Sequence, residues 1–297
     1  MKKLNKVIVA TDFSAGSDFA LKMANRLKEK SSCSVTLVHI SDAATTWDWP
    51  GTDLQALTLL EQFRKELTTA IEKKIKDQMV RCGVDFEAEL IFGEAYSEMM
   101  NFIERSKADL IVMGHRGEKS IFPIGSFAKK MIASSAIPVL ITNNETPINK
   151  VGCLLDLSKI MPFTITAGRD FAQMFNAHLS YFTSIPDLST NLLTRMPFAI
   201  SNTTLDENQR KEIISKAKNE LIKNLGQVNE DDIIVDISIK GTSASLSEKL
   251  DEHNIDLAVL GKHNRGPLEK LFIGSVSSGF IDYFKGNSLI LPENKGL

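Results

Sequence analysis

Residues Val259 to Ser278, "VLGKHNRGPLEKLFIGSVSS", set a glycine at the end of an apolar run, follow it with a basic loop and close on Gly-Ser. Residues Val112 to Lys129, "VMGHRGEKSIFPIGSFAK", have the same layout with a loop two residues shorter. The recurrence extends outward from there. "ADLIVMG" (Ala108 to Gly114) returns as "IDLAVLG" (Ile255 to Gly261), and "VIVATDFS" (Val7 to Ser14) returns as "VGCLLDLS" (Val151 to Ser158). "IGSFAKKMI" (Ile124 to Ile132) returns as "IGSVSSGFI" (Ile273 to Ile281). Three matches in one order predict a duplicated domain, residues 1–145 and 146–297, joined at the polar stretch "NNETPINK", Asn143 to Lys150.

Within each half, short apolar runs alternate with amphipathic stretches. In the first half, strands are expected at residues 7–10, 35–40, 86–91, 110–113 and 139–141, and helices at 17–30, 54–81, 97–106 and 127–134. The second half repeats the order, with strands near 152–155, 179–183, 233–239, 257–260 and 288–291. Near-continuous apolar strands between helices imply an α/β fold with a parallel sheet covered on both faces. Ligands in such sheets bind beyond the carboxyl ends of the strands, where the strand order reverses. The glycine loops follow the fourth strand of each half, at that edge. "PVLIT" (Pro138 to Thr142) and "SLILP" (Ser288 to Pro292) read as apolar edge strands, and their pairing with each other is expected because bare apolar edges invite aggregation.

The bulk numbers restrict the function classes. A formal net charge of -2 offers no electrostatic case for nucleic acid or an anionic membrane as partner, so any anion site must be local. Cys33, Cys82 and Cys153 lack C-x-x-C spacing and read as small buried hydrophobes in a reducing compartment. The first apolar run, Val7 to Ala10, is too short for an export signal, and no stretch reaches the ~18 apolar residues of a membrane helix. A soluble cytoplasmic protein is expected. "DAATTWDWPGTD", Asp42 to Asp53, holds both tryptophans and reads either as a lid or partner surface or as a loop packed on the following helix.

Gly261 ends a strand, where a side chain would block the approach of a ligand to the backbone. Gly274 and Ser275 then open a helix whose first N–H groups have no internal partner, and those donors with the helix dipole favour an anion. Lys262, His263, Arg265 and Lys270 make the loop net positive against Glu269, which suits a polyphosphate. Gly-Ser before a helix is also ordinary capping chemistry. A Walker-type G-x-x-x-x-G-K-[ST] run is absent, and "ATDFSAGS" and "LLDLSKIM" stand where a dinucleotide fingerprint would follow the first strand. In each half an aspartate stands there instead, Asp12 or Asp156, with Ser14 or Ser158 two residues on. A carboxylate at that point can accept from a ribose hydroxyl or base amine, or it can cap the next helix.

With the strand-one aspartate, five strands and a glycine loop before Gly-Ser, the chain resembles the universal stress protein family, specifically its tandem two-domain members, over nearly all of both halves. The resemblance implies two open five-stranded parallel sheets of order 3-2-1-4-5, adenine nucleotide α-hydrolase-like, forming an internal pseudo-dimer. It also implies an ATP site built on G-x-x-G, nine residues and G-[ST]. In the second half these positions are Gly261, Asn264 in place of the second glycine, and Gly274-Ser275, with Asp156, Ser184, Leu260 and Val276 around them. Asparagine is the residue that best substitutes for glycine in left-handed backbone. The first half matches at Asp12, Ile40, Met113, Gly114, Gly117, Gly125 and Ser126, but only seven residues, including Ile121, Phe122 and Pro123, separate Gly117 from Gly125. Two missing residues shorten the reach by up to ~7 Å, so the second half is expected to be the better phosphate site.

The function so implied is a stress-responsive regulatory protein that binds ATP, with or without Mg²⁺, or a related adenine nucleotide, without efficient catalysis. No nucleophile-base pair or metal cluster stands at a loop end, and His115 and His263 read as phosphate contacts or solvated loop residues. A homodimer beyond the internal pairing is compatible with this reading. The alternative is a nucleotide-independent interaction protein whose sites have decayed and which works through its dimer surface. An ATP pyrophosphatase-like enzyme is disfavoured because "TDFSAGSD" lacks the paired glycines of that loop.

Overall fold

The computed structural model describes residues 4–42, 54–115, 125–157, 160–186, 205–238, 242–262 and 280–292. The chain divides into two compact units, Lys2–Glu145 and Thr146–Gly296, called domain 1 and domain 2 below.

Domain 1 runs β1 (Lys6–Ala10), α1 (Ala15–Ser31), β2 (Ser34–Ser41), α2 (Leu54–Cys82), β3 (Glu87–Phe92), α3 (Ala95–Ser106), β4 (Leu110–Gly114), α4 (Ser126–Ser134) and β5 (Val139–Thr142). Its strands lie in the order β3-β2-β1-β4-β5, every neighbouring pair parallel. Domain 2 runs β6 (Lys150–Leu154), α5 (Pro162–Phe175), β7 (His178–Pro186), α6 (Glu207–Leu225), a 3₁₀ turn (Glu230–Asp232), β8 (Ile233–Ser238), α7 (Thr242–Glu252), β9 (Leu257–Gly261) and β10 (Asn287–Leu291). Its strands lie in the order β8-β7-β6-β9-β10, again parallel throughout. Each domain is therefore an open five-stranded parallel sheet of order 3-2-1-4-5. Leu155, expected inside the first strand of domain 2, lies one residue beyond it, although its N–H still bonds to the Phe182 carbonyl.

The central strands are the driest. Val7, Ile8 and Val9 of β1 are fully buried, as apolar residues covered on both faces of a parallel sheet must be. Against them α1 sets Ala20, Leu21, Ala24 and Leu27 at the three- and four-residue spacing of one helix face. The Ser14 side chain accepts from the Ser17 N–H to start α1, and left-handed Ser32 ends it with its N–H on the Lys28 carbonyl. At the edge, β3 exposes Glu87 and Glu89, charges that discourage edge-to-edge pairing. In domain 2, α6 starts on a full capping box between Asp206 and Gln209.

Candidate functional site

The order of the strands puts a crevice at the carboxyl ends of β1 and β4, where the chain turns one way to β2 and the other to β5. In domain 1 this edge carries Thr11 to Ser14 after β1, His39 and Ile40 near the end of β2, Gly114 and His115 after β4, and Gly125-Ser126 at the start of α4.

Asp12 is exposed, and its Oδ1 accepts the Ser14 N–H at 3.1 Å and the Ser14 hydroxyl at 2.5 Å. Ser14 in turn accepts the Ser17 N–H at 3.2 Å, so Asp12 buttresses the residue that caps α1 rather than capping the helix itself. Between them Phe13 has φ of 66°, a left-handed backbone that costs an aromatic residue free energy unless its surroundings hold it. Three contacts do so. The Phe13 N–H donates to Thr11 Oγ1 at 3.0 Å, the ring packs on His39 with centroids 4.4 Å apart, and the Lys74 ammonium lies 5.8 Å over it. His39 Nδ1 is 2.9 Å from the Thr11 carbonyl, which can only accept, so the neutral ring carries its proton on Nδ1. Burial lowers the His39 pKa from its ordinary 6.5, against the opposing pull of that carbonyl. Phe13 and His39 had no separate signal in the sequence, because nothing in a residue string marks positive φ or a loop ring packed on the neighbouring strand.

The strand-end glycines also meet a packing requirement inside each domain. A Cβ on Gly114 would lie 2.5 Å from the carbonyl carbon of Gly16 and 2.9 Å from the Ser17 nitrogen, so β4 meets the first turn of α1 backbone to backbone. A Cβ on Gly261 would lie 2.1 Å from Met161 Cε and 2.8 Å from Thr164 Oγ1, the equivalent turn of α5. Packing within domain 1 thus already demands glycine at position 114, while at position 261 the obstacles are side-chain atoms. His115, expected to be solvated or on a phosphate, is 5% exposed, with its N–H on the Thr142 carbonyl and its own carbonyl accepting from Gly125. Met113 is buried, and its carbonyl accepts the Thr142 hydroxyl at 3.2 Å. Gly125 is the extended N-cap of α4 with no side-chain capping bond, and Ser126 beside it is exposed, which leaves the α4 start suited to an anion.

Domain 2 departs at the same edge. Asp156 is exposed, and α5 begins only at Pro162, with Met161 as an N-cap that makes no side-chain capping bond. Where domain 1 pairs Ile40 with Ile91 across β2 and β3, domain 2 pairs Ser184 with Asp236 across β7 and β8. The Ser184 hydroxyl donates to Asp236 Oδ2 at 3.4 Å, and Ser245 donates to the same oxygen. Leu260 is buried, and so is Lys262, one of the residues that make the loop net positive. Gly117, His263, Asn264, Gly274, Ser275, Val276 and the tryptophan segment 43–53 lie outside the described residues.

Among the described residues no cluster of His, Cys, Asp and Glu could hold a metal ion. Burial pushes the Cys82 thiol up to about 11 and the Cys153 thiol up to about 12, so neither forms a thiolate readily. Among the described residues no helix is long and apolar enough to cross a membrane.

The universal stress protein family model matches residues 3–143. Universal stress protein MJ0531 of Methanocaldococcus jannaschii is 30% identical over 138 residues, which are 46% of this chain and 80% of that protein. The chain belongs to the universal stress protein family. This universal stress protein is also 26% identical over 157 residues to MJ0577 of the same organism, covering 47% of the chain and 95% of the relative. A solved universal stress protein from Archaeoglobus fulgidus superposes with a TM-score of 0.63 at 15% identity, over 98% of this chain and all of that one. A functionally unknown Pseudomonas aeruginosa protein, PA1789, gives 0.62 at 14% identity over 98% of this chain and 93% of its own. The relatives span about half of this universal stress protein and the structures span nearly all of it, so the fold is shared by both of its halves.

Proposed function

We propose that the protein is a stress-responsive regulatory module that binds ATP or a related adenine nucleotide, with or without Mg²⁺, and that domain 1 holds the nucleoside end. The observation that carries this reading is the exposed Asp12 carboxylate at the β1–β4 switch point, held by two bonds from Ser14. A carboxylate held in place can accept from a ribose hydroxyl or base amine, and Ile40 at the end of β2 offers an apolar wall for a purine. The α4 start, whose N-cap Gly125 makes no side-chain capping bond, suits a phosphate. Domain 2 supports the nucleoside less well, since Asp236 and Ser184 replace the apolar pair and Met161 crowds Gly261. Loop length favours domain 2 for the phosphates, so the two domains are compared directly.

The test is titration calorimetry of ATP-Mg²⁺ on the purified chain and on Asp12→Ala, Asp156→Ala, Gly125→Val and Gly274→Val. Loss of binding in Asp12→Ala with Asp156→Ala unaffected is expected. Loss confined to Asp156→Ala and Gly274→Val transfers the site to domain 2. No binding of any adenine nucleotide leaves the nucleotide-independent interaction protein as the reading. Backbone donors around a triphosphate do not by themselves position an attacking water, so hydrolysis is expected to stay well below ~1 per second.

A further inference from the structure

The two domains fill one position beneath the site in opposite ways. Gln78, four residues before the end of α2, and Leu221, four before the end of α6, are both fully buried. Thr11 and Leu155 each follow the first strand of their domain and make the same backbone bond, to the Val38 and Phe182 carbonyls respectively. Ser17 and Thr164 are each the third residue of the next helix. Domain 1 thus buries Thr11, Ser17 and Gln78 where domain 2 has Leu155, Thr164 and Leu221.

In domain 1 these groups form a closed set of hydrogen bonds. The Thr11 hydroxyl donates to Gln78 Oε1 at 2.7 Å and accepts the Phe13 N–H at 3.0 Å. Gln78 Nε2 donates to Ser17 Oγ at 3.0 Å and to Asp18 Oδ1 at 2.7 Å. The Ser17 hydroxyl donates to the Ser14 carbonyl at 2.8 Å, and Arg81 grips Asp18 through Nε at 3.0 Å and through its terminal nitrogen at 2.8 Å. With the amide so oriented, Gln78 meets only acceptors with its nitrogen and a donor with its oxygen. In domain 2 the two leucines offer nothing to the Thr164 hydroxyl, which is 1% exposed and has no hydrogen-bond partner among the described residues. Domain 2 thus builds the same fold with leucines at the positions where domain 1 places a buried amide and a buried hydroxyl.

We propose that Gln78 is a positioning residue for the nucleoside end of the domain 1 site. It fixes the Thr11 hydroxyl, which holds the N–H of left-handed Phe13, and it fixes Ser17, which anchors the Ser14 carbonyl. Asp12 lies between those anchors, and a carboxylate already aimed binds without the cost of ordering its loop. The proposal rests on the nucleotide reading above, and its test separates the two.

The variants are Gln78→Leu, which copies domain 2, Thr11→Val, which keeps shape and loses the hydroxyl, and Thr11→Ser, which restores it. Affinities for adenosine, ATP and inorganic tripolyphosphate are measured by calorimetry, and amide exchange at Phe13 and Ser14 by NMR. Gln78→Leu and Thr11→Val are expected to weaken adenosine and ATP by about tenfold and to leave tripolyphosphate unchanged. Exchange at Phe13 and Ser14 rises in both while Ile8 of β1 keeps its protection, and Thr11→Ser behaves as the parent. Equal weakening of all three ligands, or unaltered exchange at Phe13 and Ser14, overturns the proposal. If the parent binds no adenine compound the nucleotide reading fails by itself, and the exchange rates alone then decide whether Gln78 sets the loop.

Discussion

Asp109 Oδ2 accepts the backbone N–H of Lys6 at 2.9 Å, and in the second domain Asp256 Oδ2 accepts that of Lys150 at 2.9 Å. Each carboxylate also takes the preceding N–H, from Asn5 at 2.9 Å and Asn149 at 2.8 Å. The aspartate of "ADL" and "IDL" is thus a clamp that ties the entry of the first strand to the fourth. Replacement of Asp109 by alanine should cost about 1–3 kcal/mol, since two charge-assisted bonds are lost, and Asp256→Ala should cost a similar amount. Asparagine, which keeps an acceptor, should cost less. Urea unfolding checks this, and a loss no larger than that of Glu104→Ala on the surface would count against the clamp.

The two strand-end glycines should tolerate alanine unequally. At Gly114 the new methyl strikes the backbone of Gly16, which no rotamer change can relieve. At Gly261 its nearest obstacle is the far end of the Met161 side chain, with Thr164 Oγ1 next. Gly261→Ala should cost about 1–3 kcal/mol, typical of overpacking, and regain much of it when combined with Met161→Ala. Gly114→Ala should cost more, and Ser17→Ala should not rescue it, because the clash is with main chain. Thermal melts of the four variants decide the ranking.

Two acid-linked losses of stability are expected in domain 1. Burial favours neutral His39, with the Lys74 charge acting the same way and the Thr11 carbonyl and Asp12 charge opposing. Because the folded pKa lies below 6.5, the unfolded state binds more protons between the two values, and stability falls as the pH drops below 6.5. Asp18 is the second case. Burial would raise its pKa, but hydrogen bonds from Arg81 and Gln78 and the Arg81 charge outweigh it and hold the group below 3.8. Its contribution is present above 3.8 and is lost as the pH falls through the lowered value. Urea midpoints followed from about pH 7.5 to about pH 3 should show both steps. His39→Gln should remove the first and Asp18→Asn the second, and a first step that survives in His39→Gln would assign it elsewhere.

Most of the fold could be read from the order of residues. Alternating apolar runs and amphipathic stretches determine a parallel α/β sheet, because backbone bonding and burial on two faces leave few other solutions for such a pattern. The internal matches at Asp12 and Asp156, and at Gly114 and Gly261, determined that this unit occurs twice. Periodicity is a local property, so it survives in a string. The character of each site did not. That Gly114 meets the first turn of α1 backbone to backbone depends on a contact between residues nearly a hundred positions apart, and only the packed structure shows it. The same holds for the burial of His115, the left-handed Phe13 and the bond from Thr11 to Gln78, 67 residues away. A glutamine on a long polar helix looks like surface in sequence, and it becomes a buried anchor only when α2 folds back over the end of β1. Residue type makes domain 1 polar and domain 2 apolar at that point, but only tertiary contact buries the position, and burial is what turns an amide into an obligation to find partners.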